Sequence, residues 1–326
     1  MTGMRMVRAA AVLAGALGGL YGATYGLLTR QSRRARLVIG VPRQSPLRAD
    51  GTYLPDGSGP LVSETSASEG RDAGADCPDE LRFAVLGDSS AAGVGVDHAE
   101  QLPGVLLARG LAEETARPVR LSTYAVSGAN TRGLPAQVDQ ALARRPPDVA
   151  IVLIGANDVR DRLPARLAAK ILGGELCRLR DAGTRVVVGT CPDFGMIQPI
   201  PQPLRTIART WSLLLASAQR AEAIQAGALA VPLGDLLSPE FLARRTDLFS
   251  QDGFHPNAAG YEAAAAILLA PLCAAAGLWG AEPAPVGVRA VTAAKLRVLL
   301  NRLADWATGL ASGGEDGDGV TVHAAS

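Results

Sequence analysis

Net charge is almost absent: 32 Lys and Arg offset 31 Asp and Glu, leaving +1 over 326 residues. Such a balance gives no electrostatic reason to expect nucleic-acid binding. Lysine itself is nearly missing, with only Lys170 and Lys295 present. That bias reads as a GC-rich coding sequence rather than as function. Cysteine is scarce, and the four residues are Cys77, Cys177, Cys191 and Cys273. No pair has CxxC spacing, which argues against a zinc site or a thioredoxin-like redox motif. The even count is compatible with two disulfides in an oxidising compartment, or with four buried thiols. No internal repeat is evident. What the chain does have is apolar residues, at 48%. That is enough for a sizeable core in one large domain, or one domain with appendages.

No charged residue occurs from Ala9 to Thr29. At about 1.5 Å per residue this run is long enough to cross a bilayer as a helix. Arg5 and Arg8 precede it, and Arg30, Arg33, Arg34 and Arg36 follow. It is Gly-rich and lacks a polar face, unlike a buried soluble helix. The run reads as a signal peptide or an uncleaved anchor, and the lack of a clear small-x-small cleavage site after it favours the anchor. The protein is therefore expected to be membrane-anchored or exported to the cell envelope. The flanks disagree on sidedness: the richer C-terminal Arg cluster holds the domain in the cytoplasm, while the N-terminal pair argues for export.

The expected organisation has four parts. Residues 1–30 form the signal or anchor segment. Residues 31–80, rich in Gly, Pro, Ser and Asp from Pro42 onward, form a flexible linker. The main domain spans 81–279, and 280–326 holds an amphipathic helix and a disordered tail. In that helix Leu299, Leu303, Trp306 and Leu310 share a stripe suited to packing on the domain or on another copy. Within the main domain, apolar runs such as Arg82–Gly87 and Asp148–Ile154 alternate with helical patterns. Other expected strands are Arg120–Val126, Arg185–Thr190 and Ala228–Pro232. Expected helices are Gln101–Arg117, Thr131–Arg145, Pro164–Ala182, Pro203–Ala226 and Ala258–Ala275. The alternation predicts an α/β three-layer sandwich with a mostly parallel sheet, and chemistry at the carboxyl ends of the strands.

Three blocks stand at such ends, and a fourth lies on a loop after the last strand. The first is Gly87-Asp88-Ser89-Ser90, where small residues leave a serine exposed to attack a substrate and its N–H free to face an oxyanion. Asp88 reads as a support for that turn. The second is Val126-Ser127-Gly128-Ala129, whose glycine can offer a backbone N–H at close range. The third is Gly155-Ala156-Asn157-Asp158. Its Asn157 either donates an amide N–H to an oxyanion or caps the next helix. The fourth is Asp252-Gly253-Phe254-His255. An Asp and a His three apart on a loop can pair locally, leaving the second ring nitrogen to take a proton from Ser. Of the other two histidines, His323 lies in the tail and His98 is the rival base, placed by no strand end.

Together and in this order, these blocks resemble the SGNH hydrolases, also called GDSL esterases and lipases, and in particular envelope-associated actinobacterial members. The resemblance covers roughly Leu81 to Gly277. Carried over position by position, it implies Ser89 as nucleophile, His255 as base, Asp252 as its partner, and an oxyanion hole of Ser89, Gly128 and Asn157. It implies the flavodoxin-like SGNH fold. Two departures are visible: GDSS replaces GDSL, and Val126 stands where the family often carries Asn. The G-x-S-x-G elbow of the α/β-hydrolases is absent, because Ala91 replaces its second glycine. The expected activity is hydrolysis of carboxylic esters through an acyl-enzyme, with no metal or cofactor. Short acyl chains are expected because no extended apolar lid segment lies between the blocks. Acyl transfer to a glycan or lipid hydroxyl, deacetylation, and a silent ligand-binding domain are the alternatives. The partner is a small-molecule, lipid or glycan ester, and the membrane through the N-terminal helix.

Overall fold

Residues along the central strands are apolar on both sides, and this decides the architecture. Strand β4 (Val149–Leu153) is buried at every position, and β2 (Leu81–Gly87) at all but one. Successive side chains point to opposite faces, so both faces of the sheet need a helical cover. The computed structural model describes residues 2–40, 46–61 and 79–278.

In chain order come α1 (Thr2–Ile39), β1 (Gly51–Tyr53), β2, α2 (Pro103–Thr115), β3 (Val119–Thr123), α3 (Leu134–Leu142) and β4. There follow α4 (Ala156–Asp161), α5 (Ala165–Asp181), β5 (Arg185–Gly189), α6 (Leu204–Gln225) and β6 (Leu229–Val231). The series ends with α7 (Leu233–Ala243), α8 (Arg245–Leu248) and α9 (Ala258–Ala275). The sheet order is β1-β3-β2-β4-β5-β6. All neighbours are parallel except β1, which runs antiparallel along β3. Phe83, Val85 and Ile151 pack with Ala108, Leu111, Leu268 and Leu272 beneath α2 and α9. Their neighbours Ala84, Leu86 and Val152 pack with Val138, Leu172 and Leu176 beneath α3 and α5. Each fully buried Val, Leu or Ile side chain contributes about 1.5–3 kcal/mol.

The expected three-layer α/β sandwich is what forms, and the strands fall within a residue or three of their expected bounds. After β2 the chain turns to β3 on one side and later to β4 on the other. The carboxyl end of β2 is therefore the topological switch point, where open α/β sheets form a crevice.

Several expectations need correction. Two stretches of the expected 31–80 linker are ordered. Helix α1 continues through Ile39, and Gly51–Tyr53 adds a strand to the sheet. Tertiary contacts overrule the local composition here. The Tyr53 ring is fully buried, its hydroxyl donates to the Ala49 carbonyl at 2.6 Å, and Asp50 accepts the Thr123 N–H at 2.9 Å. Residues 41–45 and 62–78, and everything after Leu278, lie outside the described residues, including the expected C-terminal helix. The two-disulfide alternative also fails, because Cys177, Cys191 and Cys273 are free thiols. Cys77 lies outside the described residues. Cys191 and Cys273 are buried, and burial pushes the Cys273 thiol up to about 12. Helix α9 is apolar and long enough to cross a bilayer, yet it packs on α2 and the sheet, with Leu268, Leu272 and Cys273 buried.

The tightest point of the sheet is Gly87. Its φ is 141°, and an added Cβ would lie 1.9 Å from the Leu153 carbonyl oxygen. Gly87→Ala therefore combines backbone strain with overpacking, and we expect it to cost at least about 2 kcal/mol in urea denaturation. A wild-type midpoint in the variant would contradict this close approach.

Candidate active site

Gly87 ends β2, and both of its backbone polar groups are held. Its N–H donates to Gln137 Oε1 at 2.8 Å, and Gln137 Nε2 donates to its carbonyl at 2.9 Å. The next N–H, of Asp88, donates to the Leu153 carbonyl at 3.0 Å. The Asp88 side chain accepts from the Ser90 N–H at 3.0 Å and the Ser90 hydroxyl at 2.8 Å. Asp88 thus braces the turn that carries Ser89, as its place in the sequence suggests. Burial pushes its carboxyl above the usual range, against these hydrogen bonds.

The second block is a tight turn closed by its own backbone, with the Ala129 N–H donating to the Val126 carbonyl at 3.1 Å. Gly128 sits there at φ 83°. Val126, in the place of the family's frequent Asn, is half-exposed and supports the turn through its carbonyl. In the third block, Gly155 takes φ 146° and α4 begins at Ala156. Asn157 lies inside that helix and does not cap it. Its Nδ2 donates to the Ala129 carbonyl at 2.8 Å, tying the third block to the second. Asp158 strengthens the tie by accepting the Thr131 N–H at 3.0 Å and hydroxyl at 2.7 Å.

The fourth block is a loop between α8 and α9. Asp252 Oδ1 accepts from the Ser250 hydroxyl and from the backbone N–H of Phe254 and His255, at 2.8–2.9 Å. Its Oδ2 lies 2.6 Å from His255 Nδ1. His255 Nε2 in turn lies 2.9 Å from Ser89 Oγ. Three residues expected to act together are joined in one hydrogen-bonded chain, with Ser89 and His255 buried. His98 has no such place: it is exposed at the start of a 3-10 turn, Ala99–Gln101.

Two spaces meet at Ser89 and His255. A cavity of about 710 Å³ is lined by Ser89, Gly128, Asn157 and His255, among others. A smaller one of about 100 Å³ lies beneath, against Leu153, Met196, Ile197 and Leu233. Among the described residues, no group of three His, Cys, Asp or Glu side chains is placed to hold a metal.

Sequence reasoning missed the residues that hold these ends in place. Gln219 accepts the Cys191 N–H at 2.7 Å and donates to the Ile154 carbonyl at 2.8 Å, bridging the ends of β4 and β5. Gln137 holds both backbone polar groups of Gly87 at the end of β2. Tyr261 of α9 donates to the Val94 carbonyl at 2.8 Å, joining the histidine loop to the serine loop. A buried amide on an otherwise apolar helix face, such as Gln137 between Leu134 and Val138, is the signal that was available.

The profile of the GDSL-like lipase/acylhydrolase family matches residues 85–263. A GDSL-like esterase of Mycobacterium tuberculosis is 43% identical over 263 residues, covering 79% of this chain and 81% of its own. The chain belongs to the GDSL-like lipase/acylhydrolase family. It is a carboxylic ester hydrolase. Solved structures align with part of the chain. TesA superposes with a TM-score of 0.48 at 22% identity, over 60% of this chain and 97% of its own. A lipase/acylhydrolase from Enterococcus faecalis gives 0.48 at 19% identity, over 58% and 94%.

Burial alone would raise the Asp252 carboxyl. Hydrogen bonds from the His255 ring and from the Phe254 and His255 N–H groups outweigh it, and the group titrates at about 2. The folded value lies below the ordinary 3.8. The stabilisation is therefore complete above the ordinary value and is lost as pH falls toward 2. It amounts to about 2 kcal/mol. We expect Asp252→Asn to flatten the fall in stability between pH 5 and pH 2, measured by denaturant titration at each pH. An acid limb as steep as that of the wild type would contradict the assignment.

Proposed function

We propose that Ser89 is the nucleophile of this ester hydrolase, with His255 as general base and Asp252 as its orienting partner. The observation that carries the reading is the unbroken chain from Ser89 Oγ to His255 at 2.9 Å and from His255 to Asp252 at 2.6 Å, at the wall of a cavity. Nδ1–H is committed to Asp252, so Nε2 is the nitrogen left to take a proton. As Oγ bonds to the ester carbonyl carbon, its proton passes to Nε2 and negative charge moves to the carbonyl oxygen. Collapse breaks the carbon–oxygen bond of the ester, and His255 returns the proton to the departing alcohol. Water then repeats the sequence on the acyl-enzyme and releases the acid.

Three donors suit the oxyanion. Among the described residues the N–H groups of Ser89 and Gly128 have no protein acceptor. Asn157 uses one amide hydrogen on Ala129 and keeps the other. Asp252 holds His255 without being protonated itself, which its low pKa supports. The chemistry calls for no metal or cofactor. Short acyl groups are the preferred acid half, since the space beneath Ser89 is only about 100 Å³. The apolar start of α1 acts as a membrane anchor that keeps the enzyme at the cell envelope.

Full-length protein in detergent, assayed on p-nitrophenyl esters from acetate to dodecanoate, tests this. We expect turnover to fall with acyl length, and Ser89→Ala to lose about a thousandfold or more. Asn157→Ala should lose about 100- to 1,000-fold in kcat. Ser89→Ala with wild-type turnover would overturn the nucleophile assignment, and Asn157→Ala with wild-type kcat the oxyanion assignment.

A further inference from the structure

The larger cavity has a wall that comes from outside the four sequence blocks. One side is built by α6, with Leu204, Ile207, Ala208 and Trp211. The other is built by α1, with Leu28, Ser32, Ala35 and Ile39. Their spacing of four, three and four residues puts the α1 side chains on a single helical stripe. Ala35 is buried in the centre of that stripe. The helix is fastened next to it: Gln31 Nε2 donates to the Gln202 carbonyl, and Gln31 Oε1 accepts the Leu204 N–H at 3.2 Å. Thus α1 is joined to the first turn of α6, and its small and apolar stripe faces the space above Ser89.

We propose that this stripe of α1 is a substrate subsite that binds the hydrocarbon part of the alcohol half of the ester. The inference rests on Ser89 being the nucleophile. The smaller cavity takes a short acyl group, and the larger one, of about 710 Å³, takes the rest of the molecule. The substrate class that fits is a short-chain acyl ester of an amphiphilic, lipid-like alcohol. Tyr25, Leu28 and Thr29 also line the cavity, and all three belong to the charge-free run Ala9–Thr29. A lipid-like alcohol thus reaches Ser89 along the helix that carries the apolar run.

The test uses the full chain at one fixed detergent concentration, with acetates of alcohols from ethanol to decanol. In the wild type kcat/KM should rise with alcohol length. Ala35→Trp fills the wall and should lower kcat/KM for decyl acetate by about tenfold while ethyl acetate stays within about twofold. Ile39→Ala, which removes packing without adding bulk, should lower the decyl-to-ethyl ratio by about threefold and carries the test if Ala35→Trp does not fold. A flat alcohol profile in the wild type would overturn the proposal. So would folded variants with an unchanged ratio, or a rise with chain length seen only in the acyl series. Retained acetate turnover in Ser89→Ala would instead overturn the nucleophile reading beneath it.

Discussion

The contact between Gly87 and the Leu153 carbonyl governs the rest of the site. Where β2 and β4 end side by side, no side chain fits between them. The chain after β2 must therefore leave the sheet as bare backbone, and its next two residues are Asp88 and Ser89. Leu153 is followed within four residues by Asn157. One register, Gly87 against Leu153, thus sets the distance between two of the blocks. At these strand ends the N–H groups of Gly87 and Cys191 find no backbone acceptor, and a buried orphan would cost about 1–3 kcal/mol. Gln137 and Gln219 take up those groups. The two glutamines belong to the helical layer, so they also fix α3 and α6 to the strand ends they serve.

The four blocks were readable because each uses residue types whose chemistry is scarce elsewhere in the chain. With three histidines, and a single Asp-x-x-His placed beyond the last strand, His255 had few rivals. The same local reading succeeded for β4, whose five residues are apolar throughout. It failed for β1, where three residues of mixed character become a strand only because β3 offers an open edge and Tyr53 finds a closed pocket. Asn157 could be read two ways, as cap or as donor. The difference lies in the Ala129 carbonyl, which is distant in sequence and brought close by the sheet. Helix α1 was readable as an apolar segment, but its role as a wall was not. The stripe Leu28, Ser32, Ala35 and Ile39 is neither wholly apolar nor next to any block, so only packing against α6 reveals what it faces.

Polar satisfaction is concentrated in short local circuits. Asp158 and Thr131 close one and Asp88 and Ser90 another, while Gly95 makes room for the Pro256 carbonyl, which a Cβ would approach to 2.4 Å. Neither circuit relies on a long side chain, which keeps the conformational entropy lost on ordering small. The result is a site built on strand ends and helix starts, with its exposed edges formed by Val126 and α1.

The loop that carries Asp252 and His255 is complete within itself. Every donor to Asp252 Oδ1 comes from residues 250–255, and the loop is closed by the Ser250 N–H on the His255 carbonyl. Its geometry does not depend on Ser89. Assembly of the site therefore reduces to docking a preformed part against the end of β2. Two hydrogen bonds, Ser89–His255 and Tyr261–Val94, act as the keys that register it. A part of this kind can be misplaced as a whole without being deformed, so the weak point of the enzyme is the seating of α9 rather than the imidazole–carboxylate pair.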